Sequence, residues 1–209
     1  MLSLIEVKNM GLTYGSRRIF AGVGFEVPPG TLTHIKGPNG VGKSSLLNIL
    51  AGLQQPSEGE MFFSPELLAH KNIAWLPADA NGLDLESSAL TNLQFWQDIR
   101  SQSTPTEDLF KVAKKWGLQS AYVLQHLRVS LFSTGMKRRL SLARLELSQS
   151  KLWLLDEPLF GLDEAACNAF KNSLSDHCHR GGSAILVTHD ERILAGIPHH
   201  TVQLSSQPI

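Results

Sequence analysis

Gly37-Pro38-Asn39-Gly40-Val41-Gly42-Lys43-Ser44 restricts this chain more than any other segment. It fits the pattern GxxxxGK[ST] and joins a β-prone run, 31–36, to a stretch of helical character, 44–53. Glycines at this spacing let the backbone curl until successive N–H groups converge on one point. The following helix adds the positive end of its dipole there. Phosphate oxygens are what such a nest holds. Lys43 is placed to reach the β- and γ-phosphates of a nucleotide, the Ser44 hydroxyl to bind Mg²⁺, and Ser45 to extend the loop's donor set. With Gly and Lys each at about 7% of residues, chance supplies such an octapeptide in roughly one chain of this length in a hundred. Its seat between strand and helix lowers that further.

A second segment supplies what phosphate chemistry requires. Lys151-Leu152-Trp153-Leu154-Leu155-Asp156-Glu157 is an apolar strand closed by two acids. In a parallel sheet those carboxylates emerge at the C-terminal edge, where α/β ligands bind. Asp156 would hold Mg²⁺, directly or through water, and Glu157 would polarise the attacking water or accept its proton. Standing alone, the pair would read as an ordinary acidic strand end before a proline turn. The Gly-rich loop tips the balance.

The rest of the pattern suits an α/β domain with a helical insertion. Strands are expected at 2–7, 19–27 after the turn Tyr14-Gly15-Ser16, 31–36, 72–76, 152–155 and 184–188. Helices are expected within 86–128, punctuated by Pro105 and Gly117, and at 133–148. Apolar strands alternating with helices predict a parallel sheet core. The whole chain reads as one domain, with a helical subdomain over roughly 82–150.

Leu131-Phe132-Ser133-Thr134-Gly135-Met136, followed by a basic helix, lies just upstream of the Asp-Glu strand. Phe160-Gly161-Leu162-Asp163 and Val187-Thr188-His189-Asp190 follow it. Singly, Ser133-Thr134-Gly135 also reads as a plain helix N-cap, His189 as a surface histidine, and Tyr14 as strand packing. In this order the segments resemble the signature motif, D-loop and switch histidine of ABC (ATP-binding cassette) ATPases, with Tyr14 where that class stacks a ring on adenine. The resemblance covers essentially the whole chain. It implies a P-loop core of the ABC type with an antiparallel β subdomain, ATP with Mg²⁺, and catalytic Glu157 and His189. It also implies a head-to-tail dimer in which Ser133, Thr134 and Gly135 of one copy cap the nucleotide held by the other.

Within that class the chain is most similar to the CcmA family, the ATP-binding subunit of the exporter in cytochrome c maturation. Ala89-Leu90-Thr91-Asn92-Leu93-Gln94-Phe95, Leu142-Ala143-Arg144-Leu145 and Leu152-Trp153-Leu154-Leu155-Asp156-Glu157-Pro158 carry the likeness. That family implies integral membrane partners, a haem-related export task and a peripheral place on the cytoplasmic face of the inner membrane. Other small-molecule ABC transporters and a weakly active regulatory cassette remain alternatives. Three departures stand out. The class expects a glutamine after 72–76, but Pro77-Ala78-Asp79-Ala80-Asn81 has none. Ala80 takes its place, and the Asp79 carboxylate is the nearest substitute as a metal ligand. The signature has Thr134 and Met136 where Gly and Gln are usual. The D-loop has Phe160-Gly161 in place of Ser-Ala.

Composition argues against other classes. Nineteen basic residues balance nineteen acidic ones, so no bulk charge draws the chain to nucleic acid. The basic triplet Lys137-Arg138-Arg139 reads as a solvated helix face. No run of 18 apolar residues is present and the N-terminus lacks a signal-peptide pattern, so neither membrane span nor secretion is expected. Cys167 and Cys178 form no CxxC pair, which suits a reducing compartment. Cys178-His179 and His199-His200 read as surface residues.

Overall fold

The chain begins with strand β1 (Ile5–Tyr14), in which Ile5, Val7, Met10 and Leu12 are buried. It returns antiparallel as β2 (Arg17–Val27). In this computed structural model, residues 3–68, 72–79 and 82–205 are described. Leu2, the expected start of the first strand, lies outside them. Strand β1 runs on beyond Val7 because a register shift between Val7 and Met10 turns its apolar face back inward. Asn9 sits there at φ 48, a conformation asparagine tolerates better than most residues.

Strand β3 (Leu32–Lys36) leads into the glycine loop and helix α1 (Lys43–Leu50). Strand β4 (Glu58–Phe63) pairs with β1, completing a three-stranded sheet of order β2-β1-β4. Gly59, at φ 83, passes so close to the Asn9 backbone that any Cβ would collide with it. A short helix α2 (Pro65–Leu68) and strand β5 (Ile73–Leu76) follow. Next come helices α3 (Ala89–Ile99), α4 (Thr106–Lys115), α5 (Ala121–His126) and α6 (Thr134–Leu147). The chain ends through β6 (Leu152–Asp156), α7 (Glu164–His179), β7 (Ser183–Val187) and β8 (His199–Gln203).

The second sheet has the order β5-β6-β7-β3-β8, and β6, β7, β3 and β8 pair in parallel. Every residue of β6 and β7 is buried, as their unbroken apolar runs require of strands covered on both faces. One apolar core joins Leu46, Leu47, Ile49 and Leu50 of α1 to Leu152, Leu154, Ile185 and Val187 of the parallel sheet and to the inner face of β1. Burying each such side chain contributes about 1.5–3 kcal/mol. Strands β4 and β8 were not expected from the sequence. Both are mostly exposed, so neither carries an alternating apolar signal.

The chain divides into two compact units. The first comprises Met1–Trp75, Ser150–Glu157 and Leu174–Ile209, and the second Leu76–Gln149 and Pro158–Ser173. In the second, Ser88 caps α3 and Ser120 caps α5, each accepting a hydrogen bond from the main chain. Trp116, 2% exposed, packs on Phe170. Among the described residues no helix is long and apolar enough to cross a membrane.

Candidate functional site

Backbone geometry builds the glycine loop. Gly40 and Gly42 lie at φ 77 and φ 99, where only glycine is unstrained. A Cβ at Gly42 would come within 2.6 Å of Ile19 and 2.8 Å of Phe20. One at Gly37 would strike the Leu204 carbonyl. Helix α1 starts on Gly42 with no side-chain cap and no acidic residue in its first turn. Its N–H groups and its positive dipole end therefore serve the loop. Pro38, Asn39, Gly40 and Ser44 are exposed, Ser45 is half-buried and Val41 is buried. The Lys43 side chain is folded into the loop, where its ammonium donates to the carbonyls of Gly37 at 2.8 Å and Pro38 at 3.1 Å.

The two acids stand where the strand pattern predicts. Asp156 ends β6 and is 4% exposed. Glu157 follows at φ 45, a left-handed conformation that costs a non-glycine residue about 1–3 kcal/mol. Its N–H donates to the Val187 carbonyl at 2.9 Å. Its carboxylate then faces the switch segment: Oε2 accepts from the His189 main-chain N–H at 3.3 Å, and Oε1 lies 3.6 Å from His189 Nε2. Parallel pairing of Asp156 with Val187 and of Ile35 with Val187 sets β6, β7 and β3 to end at one sheet edge. The glycine loop, Asp156-Glu157 and His189 thus share that edge. A cavity of about 300 Å³ opens beside it, lined by Lys36, Gly37, Lys43, His189 and Glu191 among others. Tyr14 ends β1 53% exposed, and its hydroxyl accepts from Gln54 Nε2 at 2.7 Å.

The remaining candidates lie in the second unit. Ser133 caps α6, its Oγ accepting from the Met136 N–H at 3.2 Å, with Thr134 and Gly135 opening the helix. The helix-cap reading of this segment therefore holds in the structure. A Cβ on Gly135 would sit 2.8 Å from the Gly161 carbonyl, so the turn at Phe160-Gly161 lies directly on the start of α6. Arg139 fastens the same turn through Asp163 at 2.6 Å. Asp79 is exposed in the loop after β5; Ala80 and Asn81 lie outside the described residues. Arg138, 3% exposed, donates to the carbonyls of Pro77 and Ala78. Arg144 donates to the Gly82 carbonyl at 2.7 Å and lies over the Trp96 ring at 4.6 Å. Burial lowers the Arg144 pKa to about 10.

Two expectations about surface residues part company. His179, His199 and His200 are exposed, whereas Cys178 is half-buried and burial pushes its thiol up to about 11. Sequence reasoning also missed His34, Lys36, Gln54 and Glu191. Lys36 and Glu191 pair at 2.5 Å across 155 positions, and no local pattern signals such a contact.

Residues 20–160 match the family described as "ABC transporter". The Cupriavidus metallidurans "Cytochrome c biogenesis ATP-binding export protein CcmA 2" is 35% identical over 195 residues, 90% of each chain. The CcmA export protein of Ruegeria sp. is 37% identical over 186 residues, 89% of this chain and 85% of its own. That of Vibrio vulnificus is 34% identical over 194 residues, 90% and 93% of the two chains. Among solved structures, an ATP-binding subunit of an ABC transporter superposes with a TM-score of 0.84 at 23% identity, covering 98% of this chain and 87% of its own. A dimeric ATP-binding cassette in a post-hydrolysis state, bound to ADP and Pi, gives 0.79 at 22% identity over 97% and 94%.

Proposed function

This chain belongs to the ABC transporter family of ATP-binding proteins, and on that premise we propose that it is the ATP-hydrolysing subunit of the export system serving cytochrome c biogenesis, with haem-related cargo. The observation that carries the reading is the shared edge: a glycine loop converging on a helix N-terminus beside Asp156, Glu157 and His189.

In this reading the N–H groups of 37–45 and the start of α1 receive the phosphates of ATP. Lys43 exchanges two loop carbonyls for phosphate oxygens. Tyr14 offers its exposed ring to the adenine. The Ser44 hydroxyl and the Asp156 carboxylate are hard oxygen donors that fit Mg²⁺. Bound there, the ion neutralises phosphate charge in the transition state. Glu157 orients the attacking water and takes its proton, and His189, joined to Glu157, stabilises the transferred phosphoryl group. Ser133, Thr134 and Gly135 of a second copy close over the nucleotide with the N-terminus of α6, so that hydrolysis reopens the dimer. Held peripherally on the cytoplasmic face of the inner membrane, the chain passes that motion to integral membrane subunits, which convert it into export.

Lys43→Ala abolishes ATP binding or turnover; near-normal turnover of the purified variant would falsify the phosphate-loop reading. Glu157→Gln keeps ATP bound while hydrolysis slows, so ATP with Mg²⁺ drives monomer to dimer in size-exclusion chromatography with light scattering. A variant that binds ATP yet stays monomeric counts against the sandwich. Deleting the chain should remove covalently haem-stained c-type cytochromes from membranes; unchanged staining would assign it to another small-molecule transporter. A weakly active regulatory cassette is the second reading, favoured by the glutamine-free loop at 77–81. Turnover that stays negligible in the presence of co-purified membrane subunits would select it.

A further inference from the structure

Strand β3 carries the phosphate loop and its neighbour β7 carries Thr188-His189. Their parallel ladder ends at the pair Ile35–Val187. From either side of Ile35, the side chains of His34 and Lys36 reach across to the switch segment. His34, 2% exposed, sets Nε2 3.4 Å from the Thr188 carbonyl. Lys36 Nζ lies 2.5 Å from Glu191 Oε1. These contacts hold the residues just before and two after His189. From the opposite side, Glu157 takes the His189 N–H. We propose that His34, Lys36 and Glu191 form a clasp that sets the position of His189, and through its main-chain N–H the direction of the Glu157 carboxylate, relative to the phosphate loop.

The chemistry suits a positioning role. A carbonyl accepts only from a protonated Nε2, and burial draws the His34 pKa down, so the neutral ring serves in its Nε2–H tautomer. The Lys36–Glu191 pair is half-exposed, at 53% and 57%. Exposed pairs add little to global stability. Its effect is therefore local, on the link between β7 and the short 3-10 turn Glu191–Leu194, where the His189 N–H goes to the Glu157 side chain and the Asp190 N–H to Thr188 Oγ1. Small displacements of catalytic groups cost rate more than they cost binding.

The inference rests on the ATPase reading, and its test separates the two. Glu191→Gln, Lys36→Met and the exchange Lys36→Glu with Glu191→Lys are compared with wild type. The measurements are kcat, ATP affinity by equilibrium dialysis, melting temperature, and the His189 ring signal in ¹³C-histidine-labelled protein. Each single variant should lower kcat about fivefold, with ATP affinity within about twofold and an unchanged melting temperature. The His189 signal should shift in the single variants and return, with most of the rate, in the exchange. His34→Gln, which keeps an N–H donor, should be milder than His34→Leu. Wild-type rates with an unmoved His189 signal overturn the clasp. So does an exchange no better than the singles, or a rate loss matched by lost affinity. If wild type hydrolyses no ATP, the functional reading falls, and the His189 signal alone decides the clasp.

Discussion

The phosphate-loop edge and the start of α6 are built by different means. At the first, the loop and the two acids are placed by the main chain: fully buried strands, glycines at φ 77 and φ 99, and Glu157 at φ 45, with side chains acting only on the His189 segment. At the second, position comes from side chains: the Ser133 cap, Arg139 on Asp163, Arg138 on Pro77 and Ala78, and Arg144 on Gly82 and Trp96. A site made of backbone tolerates few residues at each position. One held by long side chains can exchange its loop residues while its shape survives. The departures from the ABC pattern, at Thr134, Met136, Phe160 and 77–81, all fall in the second.

Gly42→Ala tests that contrast most severely. Its methyl would meet Ile19 and Phe20 at 2.6 and 2.8 Å on a backbone held at φ 99. ATP affinity should fall by more than about a hundredfold, the rate or affinity equivalent of ~3 kcal/mol of strain. Thr134→Gly, a change toward the usual signature, should alter affinity less than about threefold by the same titration. If both changes matter equally, the contrast between the two regions fails.

The first unit has a pH dependence of its own. His177 is stacked on Trp153 with ring centroids 3.9 Å apart and holds the Ser183 carbonyl at 3.1 Å. Burial lowers its pKa to about 4, with Arg180 and Lys151 adding repulsion. Because the folded pKa lies below the unfolded one, the unfolded chain binds the extra proton. Stability is therefore complete above about pH 6.5 and falls as pH drops toward 4, by an order-of-magnitude ~3 kcal/mol. Urea midpoints measured from pH 7 to pH 4 should decline less steeply in His177→Gln than in wild type. Parallel declines would show that His177 is not the titrating group.

What the sequence made legible follows the same division. Glycine spacing, the apolar run of β6 and its terminal acids are local signals of backbone-built structure, and they placed the glycine loop between β3 and α1, Asp156 at the end of β6 and Glu157 just after it. The helical insertion was visible as periodicity broken at Pro105 and Gly117. Strands β4 and β8 were not, because an exposed edge strand such as His199–Gln203 needs no alternating apolar face. The contacts of Lys36 with Glu191 and of Arg144 with Gly82 join residues 155 and 62 positions apart. Only the fold brings them together.

Ser133 separates two roles within the second region. Asp is as good a helix cap as Ser and suits the helix dipole, so Ser133→Asp should leave the urea midpoint unchanged or raised. In the proposed dimer its charge would repel the γ-phosphate of a nucleotide on the second copy. ATPase activity should therefore fall about tenfold, the equivalent of ~1.4 kcal/mol. Full activity would reduce Ser133 to a cap.

The smallest expected effect concerns Asp79. Arg138 grips the two carbonyls just before it, at Pro77 and Ala78, so the backbone leading to Asp79 is anchored while its carboxylate stays exposed. Ala80, in the place of the usual glutamine, has no polar side-chain atom to offer a metal or a water. A carboxylate one residue earlier is an apt ligand for Mg²⁺. A single added carboxylate would contribute modestly. Asp79→Ala should raise the Mg²⁺ concentration for half-maximal ATPase about two- to threefold, or ~0.5 kcal/mol, without changing the rate at saturation. Ala80→Gln should then add little, since the position is already served. If Asp79→Ala leaves the titration unmoved while Ala80→Gln speeds turnover, the site lacks a ligand and Asp79 is only a loop acid. If neither variant changes either quantity, the anchored loop serves the membrane partner, and Arg138→Gln becomes the variant in which partner-stimulated turnover should be lost.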